Sequence, residues 1–292
     1  MQLRAPTAKS CLKPERHAGL VLPLDKVTVD HHFLDLSDYA RPIAQRITRA
    51  LINTPITPIQ VTCAYAVVGF IAAALFATGT YLNAVIAGVL LLVKSTLDAV
   101  DGSLARARKR PSRVGRFLDS IFDYLINAAV FLGIASSGQP LTLDRILLAF
   151  LALEFATWQG TAFNYYYVYY RTLTGGDTTS KLKETEEQSY PWDDVRVLRV
   201  LVRLYRVIYG WQDALLGKLD RAITPDRADS IYRDKRLLTA TTAMGLGFQL
   251  LLIAIAAWLD RTAWALWLFI GPLNVYWVII ILMRYARSQR NR

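Results

Sequence analysis

The chain has 292 residues, 53% of them hydrophobic, with a mean hydropathy of +0.26 and a formal net charge of +11. That is too apolar for an ordinary soluble domain and fits a compact helical membrane protein with cytosolic appendages. The basic residues gather at the ends of apolar segments, which points to membrane lipids and phosphate ligands as partners and away from nucleic acid.

Residues 1–32 form a polar N-terminal tail with several prolines and no clear period, a composition that builds no packed core. It opens without an early apolar run, so no cleavable signal peptide is expected. Cys11 lies in this tail and Cys63 in an apolar segment, so no disulfide is expected. His17, His31 and His32 all precede the membrane region and are not placed for a metal site.

Over 33–53 the pattern changes. Leu36, Tyr39, Ile43, Ile47 and Leu51 recur at helical spacing, with Arg41, Arg46 and Arg49 among them. This predicts an amphipathic helix from Phe33 to Leu51, lying on an anionic membrane face. The segment Thr54-Pro55-Ile56-Thr57-Pro58 ends it.

Residues 54–292 then hold six apolar spans, at about 58–79, 82–105, 115–136, 145–170, 237–258 and 264–284. Each is near the roughly 20 residues that a helix needs to cross a bilayer. The expected fold is an all-α integral membrane protein: six transmembrane helices preceded by an interfacial amphipathic helix.

Between the fourth and fifth spans lies a polar insert at about 171–236. It opens with a flexible Gly-Gly-Asp-Thr-Thr-Ser-Lys stretch. A helix follows, in which Val195, Leu198, Leu201, Val202, Leu204, Tyr205, Ile208, Trp211, Leu215 and Leu219 alternate with basic residues. It is a second candidate for an interfacial helix.

The link 104–116 contains Arg106, Arg108, Lys109, Arg110, Arg113 and Arg116 and no acid. The C-terminal tail holds Arg284, Arg287, Arg290 and Arg292, whereas the opposite loops carry only Asp144 with Arg145 and Asp260 with Arg261. The excess of arginine and lysine predicts that both termini and this link are cytosolic.

Four aspartates stand at the cytosolic ends of spans two and three. A carboxylate in a membrane helix costs roughly 2.5–3.5 kcal/mol on insertion scales, so four together need a counter-charge or a cavity. Asp98 and Asp101 are i,i+3, and Asp119 and Asp123 are i,i+4, so each pair shares one helix face. Asp98, Asp101, Gly102 and Ala105 form one stripe, and Gly115, Asp119, Asp123 and Asn127 a second. Two such faces turned toward each other make an oxygen cage for hard divalent cations such as Mg2+ or Mn2+.

The small residues leave room for a ligand, and the basic link offers charge for phosphate. The combination suits a two-metal displacement at phosphorus, with ions roughly 3.5–4 Å apart. The competing structural reading is interhelical ion pairing, for which Lys94, one turn before Asp98, is placed. A transporter would also carry intramembrane acids, but it should spread them across the bilayer; here they cluster at one face.

The string Asp98-x2-Asp101-Gly102-x2-Ala105-Arg106-x8-Gly115-x3-Asp119-x3-Asp123 fixes eight residues over 26 positions. At every one it resembles the signature of the CDP-alcohol phosphotransferase family. Thr57-Pro58-Ile59-Gln60-Val61-Thr62 is similar to the start of the first span in that family, where Asn often replaces Ile59. The likeness covers roughly 35–170 well and the last two spans by architecture only.

The resemblance implies a homodimer that moves a phosphate-linked group from a CDP-activated donor to a hydroxyl acceptor and releases CMP. It implies two Mg2+ or Mn2+ ions held by Asp98, Asp101 and Asp119, with Asp123 as general base and further metal contact. Gly102, Ala105, Arg106 and Gly115 would hold the CDP moiety. The stretch LDAVDGSLARAR resembles bacterial phosphatidylinositol-phosphate-type synthases, which implies a CDP-diacylglycerol donor, a small polar alcohol acceptor and a bacterial inner membrane. The alternative is a choline- or ethanolamine-type phosphotransferase with diacylglycerol as acceptor.

Outside the signature, Arg113 and Arg116 are candidate phosphate contacts, while Arg108, Lys109 and Arg110 read as topogenic. Asn164 could line the acceptor pocket or make a helix-to-helix hydrogen bond. The run Tyr165, Tyr166, Tyr167, Tyr169 and Tyr170 reads as an interfacial aromatic belt, and Glu154 as structural.

Overall fold

A computed structural model describes residues 25–177, 180, 189–224 and 229–290. Most of the tail expected over 1–32, including Cys11 and His17, lies outside the described residues, as does Lys181 of the glycine-led stretch.

Helix α1 spans Arg41–Leu51. It starts later than its apolar period suggested, because the residues before it are tied into 3-10 turns. Asp35 accepts from the backbone N–H and the hydroxyl of Ser37, which caps the turn Leu36–Asp38. Pro42, whose missing N–H would be unbonded in a first turn anyway, then opens α1.

Helix α2 (Pro58–Ala77) begins at a reciprocal cap, in which the Thr57 side chain takes the Gln60 N–H and the Gln60 side chain takes the Thr57 N–H. Helix α3 (Tyr81–Ala107) has 27 residues, so at 1.5 Å per residue it runs about 40 Å and overreaches the hydrocarbon core. Helix α4 (Arg113–Ser136) is capped by Ser112, which accepts from the Gly115 N–H. Helix α5 covers Leu143–Leu173.

The insert forms α6 (Val195–Tyr205), a five-residue π-turn (Arg206–Gly210), α7 (Trp211–Ile223) and the short α8 (Asp229–Tyr232). Then follow α9 (Lys235–Thr242), α10 (Leu246–Trp258), α11 (Trp264–Ile270) and α12 (Pro272–Arg290). Among the described residues there is no strand.

Among the described residues, five segments are long and apolar enough to cross a membrane: α2, α3, α4, α5 and Trp264–Arg290. The sixth expected span is broken, with α9 and α10 meeting at a 42° bend. The bend is where the turn Leu36–Asp38 wedges in. Leu36 N–H donates to Thr242 Oγ1 at 3.0 Å, and a Cβ on Gly247 would strike the Ser37 carbonyl. Glycine is required there so that the pre-membrane segment can press on the helix backbone.

The main core is built by α2, α3, α4, α5, α10 and α11, with Tyr65, Phe76, Leu91, Ile126, Phe131, Leu153, Ile253 and Phe269 buried in it. Outward, Val67, Phe70, Ile71, Leu82, Ile86, Val89, Leu147, Phe150, Leu151, Val275 and Val278 are exposed, an apolar belt suited to lipid.

A smaller core joins Phe117 and Ile121 of α4 to Leu198, Leu201, Val202 and Tyr205 of α6. The far side of the insert exposes Val200, Leu204, Val207, Trp211 and Leu215, with Arg199, Arg203 and Arg206 beside them. That is the pattern of a helix lying in a membrane interface.

The tyrosine run is not a lipid-facing belt. Tyr166 and Tyr170 are almost fully buried, and the run packs on Phe33, Tyr232 and Leu238. The rings serve as packing surface for the insert and for α12, whose Arg284 guanidinium sits 3.6 Å over the Tyr166 ring.

Candidate active site

Crossing helices bring the two aspartate stripes together. Asp98, Asp119 and Asp123 each offer one carboxylate oxygen, all within 4.8 Å of one another. Asp101 lies outside that three-oxygen group; its Oδ2 accepts from Thr62 Oγ1 at 2.5 Å. Hard carboxylate oxygens at this spacing could hold a divalent cation.

Each carboxylate is held from α2 or α3. Tyr65 donates to Asp119 Oδ1 at 2.5 Å. Lys94 donates to Asp98 Oδ2 at 2.8 Å and also to Asp123 Oδ1. Such partners orient metal ligands and set their basicity. Sequence reading missed Tyr65 and gave Thr62 no role. The available signal was two hydroxyl residues three apart within an apolar span, one turn below its cap.

The carboxylates open onto a cavity of about 680 Å³, within the range of small-molecule sites. Asp98, Asp101, Gly102, Ala105, Arg106, Gly115, Arg116, Asp119, Asp123 and Asn164 all line it. Arg113 does not: it is buried, with its guanidinium 5.1 Å from the centroid of the Phe117 ring on the same helix. Glu154 accepts from the Tyr124 hydroxyl at 3.1 Å, away from the cavity lining.

One wall of the cavity is basic. Lys26, Arg41, Arg106 and Arg171 line it together with Asp38 and Asp177. Arg41 bonds Asp38 at 2.6 Å and Ser103 at 2.9 Å, and Arg106 approaches Asp177 at 3.4 Å. Burial lowers the Lys26 pKa, and the charges of Arg106, Arg171 and Arg41 lower it further, so the four cations converge. Lys26 and Arg171 escaped the sequence reading because one sat in the apparent tail and the other at the edge of the insert. The backbone joins these edges, with Asp177 N–H donating to Lys26 O at 2.9 Å.

Part of the lining comes from the insert. Tyr205, Tyr209 and Asp213 line the cavity. The Tyr209 hydroxyl donates to Ser120 O at 3.0 Å. Its pKa is pushed well above the usual tyrosine value, first by burial and then by the Asp123 charge, so it stays a neutral donor.

The insert also clamps the basic link. Asp193 accepts from Ser112 Oγ at 2.6 Å and from the Arg113 N–H at 3.0 Å. Trp192 Nε1 donates to Pro111 O at 2.8 Å. Arg108, read as topogenic, donates to the carbonyls of Leu51, Ile52, Thr54 and Ile56, fastening the α1–α2 turn to the end of α3.

Residues 56–182 match the profile of the CDP-alcohol phosphatidyltransferase family, and this stretch contains all four aspartates. Over this stretch the chain is similar to that family. The chain is 42% identical over 95 residues to the archaetidylinositol phosphate synthase of Pyrococcus horikoshii, which covers 32% of the chain and 48% of the relative. It is 34% identical over 113 residues to the bifunctional IPC transferase and DIPP synthase of Thermococcus kodakarensis, covering 38% of the chain and 25% of the relative. It is 33% identical over 114 residues to the inner membrane protein YnjF of Escherichia coli, covering 38% and 53%. The chain thus spans about half, or less, of the length of these relatives. Its several apolar helices of membrane-spanning length, together with this likeness to membrane proteins, identify an integral membrane protein.

Proposed function

We propose that this protein is a phospholipid synthase. It transfers a phosphatidyl group from a CDP-linked donor, CDP-diacylglycerol, to a hydroxyl of a small polar alcohol and releases CMP. The observation that carries the reading is the single cavity lined by four aspartates, the small residues of the signature and a basic wall.

Asp98, Asp101, Asp119 and Asp123 would hold two Mg2+ or Mn2+ ions. Bound there, the ions would supply charge neutralisation at the pyrophosphate and at the leaving oxygen. Gly102, Ala105 and Gly115 leave the helix surfaces low enough for the nucleotide to approach, and Arg106 and Arg116 offer donors to its phosphates. Asp123 takes the proton of the acceptor hydroxyl as that oxygen attacks the lipid-bearing phosphorus. The bond from that phosphorus to the bridging oxygen breaks, and CMP leaves with the electron pair.

The acceptor carries a phosphate of its own in this reading. Lys26, Arg41 and Arg171 converge on the cavity beyond the signature residues, and a dianion there relieves their mutual repulsion. The names of the archaeal synthases among the relatives agree with an inositol phosphate acceptor. Asn164 and Tyr209 line the same cavity and would meet the acceptor's hydroxyls. The distribution of arginines favours a cytosol-facing site with both termini cytosolic, and the likeness to bacterial synthases favours a bacterial cytoplasmic membrane. Family resemblance adds a homodimer.

The test is CMP release by purified protein across CDP-diacylglycerol and CDP-choline with a panel of free and phosphorylated alcohols. Release from CDP-diacylglycerol with a phosphorylated polyol is expected. Release only from CDP-choline plus diacylglycerol would replace this reading with the choline-type reaction.

A further inference from the structure

Lys94 is not one of the fixed signature positions, yet it sits inside the carboxylate group. It is 1% exposed and buried in α3 against α2, with its ammonium 4.6 Å from the centroid of the Tyr65 ring. It donates to two of the three carboxylates that form the metal-sized group, Asp98 at 2.8 Å and Asp123. Those two carboxylates come from different helices, so the ammonium bridges α3 and α4 at the place where a divalent ion would bridge them.

We propose that Lys94 is the resident counter-cation of the site: a positioning residue that holds Asp98 and Asp123 before metal arrives and competes with the metal for them. The proposal rests on the metal reading above. A buried ammonium is tolerable only beside anions, and clustered carboxylates only beside cations. Lys94 satisfies both conditions at once. The three carboxylates are thereby left with the charge that one divalent ion balances.

A bridging ammonium has two consequences for metal. It keeps the carboxylates gathered when the site is empty of metal, and it makes the first ion displace or share two hydrogen bonds. A merely structural ion pair would predict only the first. Removing the charge while keeping a donor should therefore lower stability without metal and raise metal affinity. Loss of an ordinary partner of a metal ligand weakens metal binding by about 10–100-fold; loss of a competing cation should change it by a similar factor in the opposite direction.

The experiment uses the full chain in detergent, stripped with EDTA and titrated with Mn2+. Free Mn2+ is followed by its paramagnetic resonance signal, and the unfolding midpoint is measured in parallel. Lys94→Gln should tighten the Mn2+ midpoint by about tenfold and lower the unfolding temperature of the stripped protein. Lys94→Arg should keep the wild-type midpoint. A Lys94→Gln midpoint equal to or weaker than that of wild type overturns the proposal, even if its stability has dropped. Should the stripped variant unfold, back-titration of Mn2+-loaded protein with EDTA gives the same ordering. Failure of wild type and variant alike to bind Mn2+ would remove the metal reading itself, so the two failures are distinguishable.

Discussion

The Tyr65 hydroxyl donates to Asp119 at 2.5 Å from within the predominantly apolar α2. Tyr65 is fully buried, so the donor holds the carboxylate from inside the helix bundle while Asp119 itself faces the cavity. Tyr65→Phe keeps the ring, its packing and its contact with the Lys94 ammonium, and removes only the donor. Mn2+ affinity should fall by about 10–100-fold, as for other groups that orient metal ligands. The direction is opposite to that expected for Lys94→Gln. The same Mn2+ titration checks it, and an unchanged midpoint would remove Tyr65 from the site.

Asp123 is the motif carboxylate assigned to the acceptor's proton. Asp123→Asn is nearly isosteric and loses the basic oxygen. CMP release should fall by about 10²–10⁴-fold, the usual contribution of a general base. Binding of CDP in the presence of Mn2+, measured by calorimetry, should fall far less. Comparable loss of both would make Asp123 a ligand alone.

The parts of this chain that were legible in its sequence are those governed by one helix at a time. Apolar runs of membrane length located α2 to α5, and the i,i+3 and i,i+4 spacings put each aspartate pair on one face. Contacts between helices leave no period. Thr62 and Tyr65 reach Asp101 and Asp119 from α2, and nothing within α2 announces their targets. Lys94 was readable as a partner of Asp98 within α3, but its bond to Asp123 needed α4 alongside. The tyrosine run misled because amphipathic rings suit both a headgroup belt and a buried wall. Only the docking of Phe33, Tyr232 and Arg284 decides between them. The helix expected from Phe33 was shortened by a local competitor, the Asp35 side chain bonding Ser37.

Asp193 ties the insert to the first turn of α4, whose N-terminus carries Gly115 toward the cavity. Asp193→Ala leaves the Ser112 hydroxyl and the Arg113 N–H without that acceptor. The expected cost is about 1–3 kcal/mol. A lower thermal midpoint should accompany weaker CDP binding, whereas Asp194→Ala, which removes only the cap of α6, should lower stability alone. Equal CDP affinity in both variants would show that the clamp does not reach the nucleotide site.

Lys26 gives the basic wall a pH signature. Its folded pKa lies below the ordinary 10.5, because burial and Arg106, Arg171 and Arg41 disfavour its charge. Between the lowered value and 10.5 the unfolded chain binds the extra proton, so this residue makes stability rise with pH across that window. A phosphorylated acceptor favours the charged form and should take up a proton on binding. Its affinity should therefore decline as pH rises through the lowered Lys26 pKa. Lys26→Met should bind inositol phosphate more weakly at neutral pH and lose that alkaline decline. Calorimetry in two buffers of different ionisation enthalpy measures the proton uptake directly. Wild type and Lys26→Met giving the same uptake would exclude Lys26 from the acceptor's phosphate site.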